Sequence, residues 1–462
     1  MAYFRVVFCL ILAATTCAES NTRLLCYFTN WSQYRSTTAK FVPEDVDPTL
    51  CTHIVYAFAG LNGNELKPTD WADENSRFNL GMYKRLTDLK NRNPALKVML
   101  AVGGWVMGSE NFTSMVATNT SRQSFATSAV RYLRSRNFDG LDIDWEYPAN
   151  RGSPPEDKLN FGMLLEVIRR EFEAEARTSR RPRLLLSAAT SASKYTIDKA
   201  YDFPSLVQNL DMINLMTYDL HGSWENTTGH NSPLYPHMDE SDILNLHWAA
   251  SYYISNGVPS SMLNIGIGLY GRTFTLVDPN DHGVGSPVVG PGKAGRFTSE
   301  EGFVAYYEVC EMLSNGATKY YIDDQVVPYA VKGTQWVGYD DIDSLRPKVK
   351  YIKEHNFGGI MTWALDLDDF HGLCGLGKYP LLNAIKTGLN NSTSLKDDPI
   401  CQGKSDGHYR DPNNCGKFYI CSDGLASHHV CADATLFNDK IMECDYAVNV
   451  PECHRVVNGI FG

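Results

Sequence analysis

The stretch Phe138-Asp-Gly-Leu-Asp-Ile-Asp-Trp-Glu-Tyr-Pro148 sets three carboxyls at alternate positions. In an extended strand alternate side chains share a face, so Asp142, Asp144 and Glu146 project together while Leu141, Ile143 and Trp145 project the other way. Ionised carboxylates roughly 7 Å apart repel strongly where water is scarce. Sharing protons relieves the repulsion: the set titrates as a unit, and at least one member stays protonated near neutral pH, as a general acid requires. Glu146 comes last, before Tyr147-Pro148 ends the strand, which puts it at the carboxyl end. Asp139 falls out of phase and reads as a turn residue or a hydrogen-bonding support.

Such a row needs a frame that turns one face of a strand toward a cavity. Eight short β-branched and apolar runs recur along the chain: 24–29, 53–59, 97–103, 140–146, 184–189, 212–218, 264–270 and 359–365. Helical periodicity fills the intervals. Over 161–176, for instance, Phe161, Leu164, Leu165, Ile168 and Phe172 make one apolar stripe. Eight near-uniform strand–helix units predict a closed α/β architecture, the (β/α)8 TIM barrel, whose chemistry sits at the carboxyl rim where Glu146 falls. A barrel strand has no edge, so the carboxyl row is not an outward polar face. The interval before the eighth strand is too long for a connecting helix and carries strand-like pieces at 320–322 and 334–337. It is expected to form a small inserted α+β domain over about 272–342. Its aromatic content (Tyr306, Tyr307, Tyr320, Tyr321, Trp336) argues against a long loop.

Composition narrows the setting. Of 462 residues, 43% are hydrophobic and 21% charged, ordinary values that exclude collagen, coiled coil and wholesale disorder. A net charge of −11 makes nucleic acid an unexpected partner but permits a neutral polymer. The first 18 residues read as a secretory signal peptide, with Arg5, an apolar run from Val6 to Ala14 and small residues to Ala18. No later segment has the ~20 apolar residues of a membrane span. Removing the leader takes Cys9 and Cys17 from the twelve cysteines and leaves ten, an even number that suits disulfides outside the cell. Sequons at Asn111, Asn119, Asn226, Asn391 and Asn30 agree with export, Asn30 least, since its segment runs into the cleft. After Lys386 the text turns to Thr-Gly-Leu-Asn-Asn-Ser-Thr, poor in large apolar residues, and a linker over 390–400 is expected. The remainder, 401–462, holds six cysteines and too few apolar residues for a secure core, so three bridges are expected there. Zinc is set aside because no Cys-x-x-Cys pair occurs and His428-His429 are adjacent.

The acidic stretch resembles the D-x-x-D-x-D-x-E signature of glycoside hydrolase family 18, matched by Asp139, Asp142, Asp144 and Glu146. Further motifs of that family occur in order: Ala101-Val-Gly-Gly-Trp105, Met216-Thr-Tyr-Asp219, Gly271-Arg-Thr-Phe274 and Met361-Thr-Trp363. The likeness covers about 23–389, is nearest the animal secreted chitinases of the chitotriosidase and acidic mammalian chitinase type, and places the catalytic domain at 19–389. The terminal cysteines resemble a peritrophin-A type (type 2) chitin-binding domain over 401–462. These resemblances imply bridges Cys401–Cys421, Cys415–Cys453 and Cys431–Cys444 in the module, and Cys26–Cys51 and Cys310–Cys374 in the barrel.

The resemblance implies a secreted, endo-acting chitinase that cleaves β-1,4-linked N-acetylglucosamine with retention, the substrate's own acetamide serving as nucleophile. Glu146 would be acid and then base. Asp144 would orient the acetamide and stabilise the oxazolinium ion, and Asp142 would take up the shared proton. Tyr218 would donate to the acetamide carbonyl, Asp219 would touch the distorted sugar and Trp363 would floor it. Chitin and chitooligosaccharides are the expected partners of a monomer without metal or cofactor. Aromatics at strand ends are candidate subsites: Trp105 and Trp224 first, then Tyr27 and Tyr270, then Trp31 and Phe58. Arg272 would bond a sugar hydroxyl or brace the insertion, and Met216 and Met361 would wall the groove. The competing reading is a catalytically weak chitin-binding lectin of the same fold. A matrix protein with the barrel as spacer is a third, against which the intact carboxyl row speaks.

Overall fold

The computed structural model describes residues 22–237, 243–390 and, within 401–451, all but 402, 406, 412–413, 423–424 and 432–434. The predicted leader, the linker after Asn390, the Asn391 sequon and Cys453, and with it the Cys415–Cys453 pair, lie outside the described residues. Two compact units divide between Leu389 and Asn390.

The first unit is built on eight parallel strands: Arg23–Thr29, His53–Asn62, Lys97–Gly103, Gly140–Asp144, Leu185–Ser191, Met212–Met216, Leu263–Gly268 and Gly359–Trp363. Each pairs with its neighbours in chain order, and the eighth pairs with the first, so the barrel closes. All eight runs expected from the sequence are strands. The fourth ends at Asp144 rather than Glu146. The helix after it, Asp157–Ser179, buries the five predicted apolar residues against the barrel and stops at Arg180, whose left-handed φ of 57° turns the chain.

The inserted domain begins directly after the seventh strand. Tyr270–Leu276 is the centre of a six-stranded antiparallel sheet that also holds Val288–Pro291, Phe303–Ala305, Thr318–Ile322, Val327–Lys332 and Gln335–Gly338, with one helix, Tyr306–Ser314. Phe274, Val327 and Trp336 centre its own small core. The seam with the barrel is largely apolar, with Tyr306, Tyr307, Val309, Val337 and Tyr339 packed into the barrel core, and it also holds buried polar groups. Lys348 Nζ donates to both oxygens of Asp340 at 2.7 Å and to the Ser232 carbonyl at 2.6 Å, all buried. His230 Nε2 faces two carbonyls, of Pro328 and Tyr339, while its Nδ1 accepts from the Ser232 N–H, which assigns the Nε2-protonated neutral ring. Burial holds its pKa down to about 3. Cys26–Cys51 and Cys310–Cys374 are bridged. Asn390, the first residue of the expected linker, is the last residue of a helix, Pro380–Asn390, which runs on through the polar text after Lys386. Its Leu381, Leu382 and Ile385 are buried, and that face carries the helix past the polar text at its end. Among the described residues no helix is long and apolar enough to cross a membrane.

The second unit has a three-stranded antiparallel sheet, Gly407–Asp411, Asn414–Ser422 and Leu425–Val430, and a hairpin, Thr435–Asn438 with Glu443–Tyr446. Bridges Cys401–Cys421 and Cys431–Cys444 are formed. Its described apolar centre is small, Cys401, Tyr419 and Cys421 with Tyr409 alongside, and Phe418 stacks on Phe437 at 4.8 Å.

Candidate active site

The fourth strand delivers the acids as its pleat dictates. Trp145 points outward, buried, stacked on Phe112 at 5.0 Å with its indole N–H donating to Ser109. Asp142 and Asp144 point inward and are buried. Glu146, two residues past the strand end, is half-buried. Asp139 accepts from Lys90 Nζ and the Val98 N–H and supports the start of the strand. Gly103 of the third strand lies so near that a Cβ there would stand 1.9 Å from the Asp144 carbonyl, and its φ is +125°. Gly103 is therefore required by the acid row, while at Gly104, with φ +84°, a Cβ would meet the Phe58 ring.

Asp142 is saturated with donors. Its Oδ1 accepts from Ser187 Oγ at 2.5 Å and Asn214 Nδ2 at 3.0 Å, and its Oδ2 from the Tyr27 hydroxyl at 2.7 Å. Asn264 donates to Asn214, and Arg23 to Asn264, so a polar thread runs along the barrel interior beneath Asp142. Asp144 differs: its buried Oδ1 has no protein partner. Burial first, then the charges of Glu146 and Asp142, lift its pKa well above the carboxylate range. Burial also raises Asp142, with its three donors opposing. Glu146 is pushed up to about 7, by burial first and by the charge of Asp219, while a hydrogen bond from Tyr147 and the charge of Arg151 oppose. Arg151 also donates to the carbonyls of Glu146 and Trp105 and lies 3.6 Å over the Trp105 ring.

Around the acids stand the aromatic groups. Trp363, at the end of the eighth strand, is half-buried amid Tyr27, Phe58 and Trp31, with ring centroids at 5.2, 5.8 and 6.1 Å. Tyr218 is buried, its hydroxyl 3.5 Å from Met361 Sδ. Asp219 takes a left-handed φ of 55°, and its Oδ1 accepts from the Tyr270 hydroxyl at 2.6 Å and Arg272 Nε at 2.7 Å. Arg272 thus spans from the inserted sheet to the barrel, 5.3 Å over Trp224. The peptide bonds 57–58, 146–147 and 363–364 are cis.

Three of the predicted subsite residues are buried: Tyr27 is 1% exposed, Tyr270 2% and Met361 fully buried. Their contacts are with Asp142, Asp219 and Tyr218 respectively. Position at a strand end could not separate the innermost side-chain layer of the barrel from its rim. Trp105 and Trp224 are 60% and 59% exposed and Trp31 43%, while Phe58, Met216 and Arg272 are half-buried. Sequence reasoning missed Ser187, Asn214 and Asn264. For Asn214 and Asn264 the signal was a single polar residue in an otherwise apolar strand; Ser187 shares its strand with Thr190 and Ser191 and had no such signal. Of the sequons, Asn111, Asn119 and Asn226 are exposed, whereas Asn30 is buried and donates to Thr69 and Asp73. Among the described residues no group of three His, Cys, Asp or Glu side chains is arranged to hold a metal.

A closed parallel barrel with a proton-sharing acid row at its carboxyl rim, beside an indole, has the architecture of a glycoside-hydrolase barrel. The model of glycosyl hydrolases family 18 matches residues 23–368, and that of the chitin-binding peritrophin-A domain residues 401–453. The chain belongs to glycosyl hydrolases family 18 and carries a C-terminal peritrophin-A domain. It is 41% identical over 455 residues to chitotriosidase-1 of Mus musculus, across 93% of this chain and 96% of the mouse one. A structure of human YKL-39, described as a pseudo-chitinase with retained chitooligosaccharide binding properties, superposes with a TM-score of 0.75 at 42% identity, covering 80% of this chain and 99% of that one. Ostrinia furnacalis Group IV chitinase in complex with allosamidin matches with a TM-score of 0.76 at 40% identity, over 80% and 98% of the two chains.

Proposed function

We propose that this protein is a secreted, endo-acting chitinase that hydrolyses β-1,4-N-acetylglucosamine linkages by a retaining, substrate-assisted mechanism. The observation that carries the reading is the acid row: Asp142 saturated by protein donors, Asp144 with a buried oxygen unpartnered, and Glu146 lifted to about 7 beside them. Near neutrality Glu146 keeps a proton to give to the departing glycosidic oxygen. The free Asp144 oxygen accepts the N–H of the substrate acetamide and turns the acetamide oxygen toward the anomeric carbon, where it displaces the leaving group. The positive ring that forms is offset by the charge of the Asp142–Asp144 pair. Glu146, now a carboxylate, takes a proton from water, which reopens the ring with retention. Tyr218, bonded only weakly to the Met361 thioether, has its hydroxyl free to donate to the acetamide carbonyl. Trp363 floors the sugar, and the exposed Trp105 and Trp224 extend the groove.

The relatives and the terminal module support chitin and chitooligosaccharides as the ligands. The proposed layout is a signal peptide at 1–18, a catalytic domain at 19–389, a linker at 390–400 and the chitin-binding domain at 401–462, in a monomeric, glycosylated, extracellular protein. The four described disulfides are what an oxidising compartment permits. A catalytically weak lectin is the second reading, because YKL-39 pairs this fold with a described pseudo-chitinase character. Glu146, Asp144, Tyr218 and Trp363 all present in this chain favour the enzyme. Cleavage of a defined chitooligosaccharide, with the product anomer determined, tests the proposal: β-anomeric products and internal cuts are expected from the wild type and none from Glu146→Gln. Full turnover in the variant overturns the role of Glu146, and an inactive wild type leaves the lectin.

A further inference from the structure

Behind the Tyr218–Asp219 pair runs a strip of three consecutive buried polar residues, His230-Asn231-Ser232. Each makes a different long-range bond. His230 reaches the inserted domain through the Pro328 and Tyr339 carbonyls. Ser232 Oγ donates to the Thr217 carbonyl at 2.6 Å, and its own carbonyl takes the Lys348 ammonium. Asn231 lies between them. Its Oδ1 accepts the Asp219 N–H at 2.9 Å, its backbone carbonyl accepts the Leu220 N–H at 3.0 Å, and its Nδ2 points at the Tyr270 carbonyl at 3.5 Å.

The geometry matters because Asp219 sits in the left-handed region, where a residue with a Cβ stays only if its surroundings hold it. The Asp219 carboxylate is fixed from the groove side by Tyr270 and Arg272, but both bonds fall on one oxygen and leave the main chain free to turn. Among the described residues only Asn231 grips the Asp219 main chain from behind, and it also reaches the backbone of Tyr270, which orients the same carboxylate. Without that acceptor the Asp219 N–H loses its protein partner, and the backbone can relax out of the conformation that aims Tyr218 into the barrel. We propose that Asn231 is a positioning residue for the Tyr218–Asp219 pair: it touches no sugar, and it holds the two side chains that do. This inference rests on the proposed chitinase activity.

The test uses the full chain, as wild type, Asn231→Ala, Asn231→Asp and Asn209→Ala, the last removing a buried amide that bonds only within its own helix. On a soluble chitooligosaccharide, Asn231→Ala is expected to lose kcat by about ten-fold or more with KM within about three-fold, because misplacement of groups that act on the distorted sugar is felt in the transition state. Asn209→Ala keeps its kcat. In acidic buffer the carboxyl introduced by Asn231→Asp is protonated and reproduces both the acceptor and the donor, so that variant stays within about three-fold of wild type. A wild-type kcat in Asn231→Ala, or the same loss in Asn209→Ala, overturns the inference. Should Asn231→Ala not fold, a ten-fold or larger loss in Asn231→Asp in acidic buffer overturns it as well. An inactive wild type overturns the proposed function, and the inference falls with it.

Discussion

At the scale of single residues, the site depends on where one proton resides. Glu146 acts as an acid only while protonated, and its pKa is lifted to about 7. Turnover is therefore expected to fall as pH rises through about 7. A pH profile of kcat/KM on an oligosaccharide checks this, and a basic limb near the ordinary glutamate value of 4.5 would contradict it. The same shift has a sign in stability. A carboxyl whose folded pKa lies above its unfolded one adds stability below 4.5 and loses that stability as pH climbs to about 7. Glu146→Gln removes the cost of ionising the group inside the protein. The variant should resist denaturant better than wild type above pH 7 by about 3 kcal/mol, with no difference below 4.5. Chemical denaturation at the two pH values measures it. At this scale sequence reading went furthest for the acids, since their spacing alone decides which face they share. It went least far for Tyr27, Tyr270 and Met361. The type of these residues suits a sugar contact, but the inward turn of their strands buries them.

At the scale of elements, the period-2 and period-3.6 patterns were enough to find every barrel strand and the stripe of Asp157–Ser179, because burial of a repeated face is a local property. Features that depend on partners from elsewhere were not legible. Asn214 and Asn264 are single polar residues in apolar strands, and only barrel closure turns them into a thread leading to Asp142. Likewise nothing near Lys348 announces a buried ammonium in helix Ile342–Glu354. That group joins the helix to Asp340 and to the loop after the sixth strand. Lys348→Met removes the positive partner and leaves the buried Asp340 with the Ser344 hydroxyl but no cation. A loss of about 3–5 kcal/mol is expected by chemical denaturation. The companion change Lys348→Met with Asp340→Leu should recover most of it, since two apolar residues of similar bulk replace a pair that was costly to desolvate.

At the scale of the whole molecule, the chain is two units with unequal means of holding together. The first has a continuous barrel core, and the second rests on a few rings and its cross-links. Linking a weak surface binder to a catalyst raises the catalyst's local concentration on a solid without changing its chemistry. A protein ending at Leu389 should therefore cleave a soluble oligosaccharide with unchanged kcat, while its retention on chitin beads falls by about ten-fold or more. Mild reduction should do the same to the full chain, because loss of the bridges costs the small unit about 2–5 kcal/mol each, more than its described core can offset. Turnover lost in step with bead retention would argue against this division of labour.

The two indoles of Trp105 and Trp224 stand open at the lip of the groove. Their emission should be that of water-bathed tryptophan, and a saccharide laid across them would displace that water and move the emission to shorter wavelength. The protein thus carries its own optical reporter of occupancy. Because that reporter lies outside the acid row, Glu146→Gln should still give a full saturation curve, so loading of the groove can be followed where no bond is being cut.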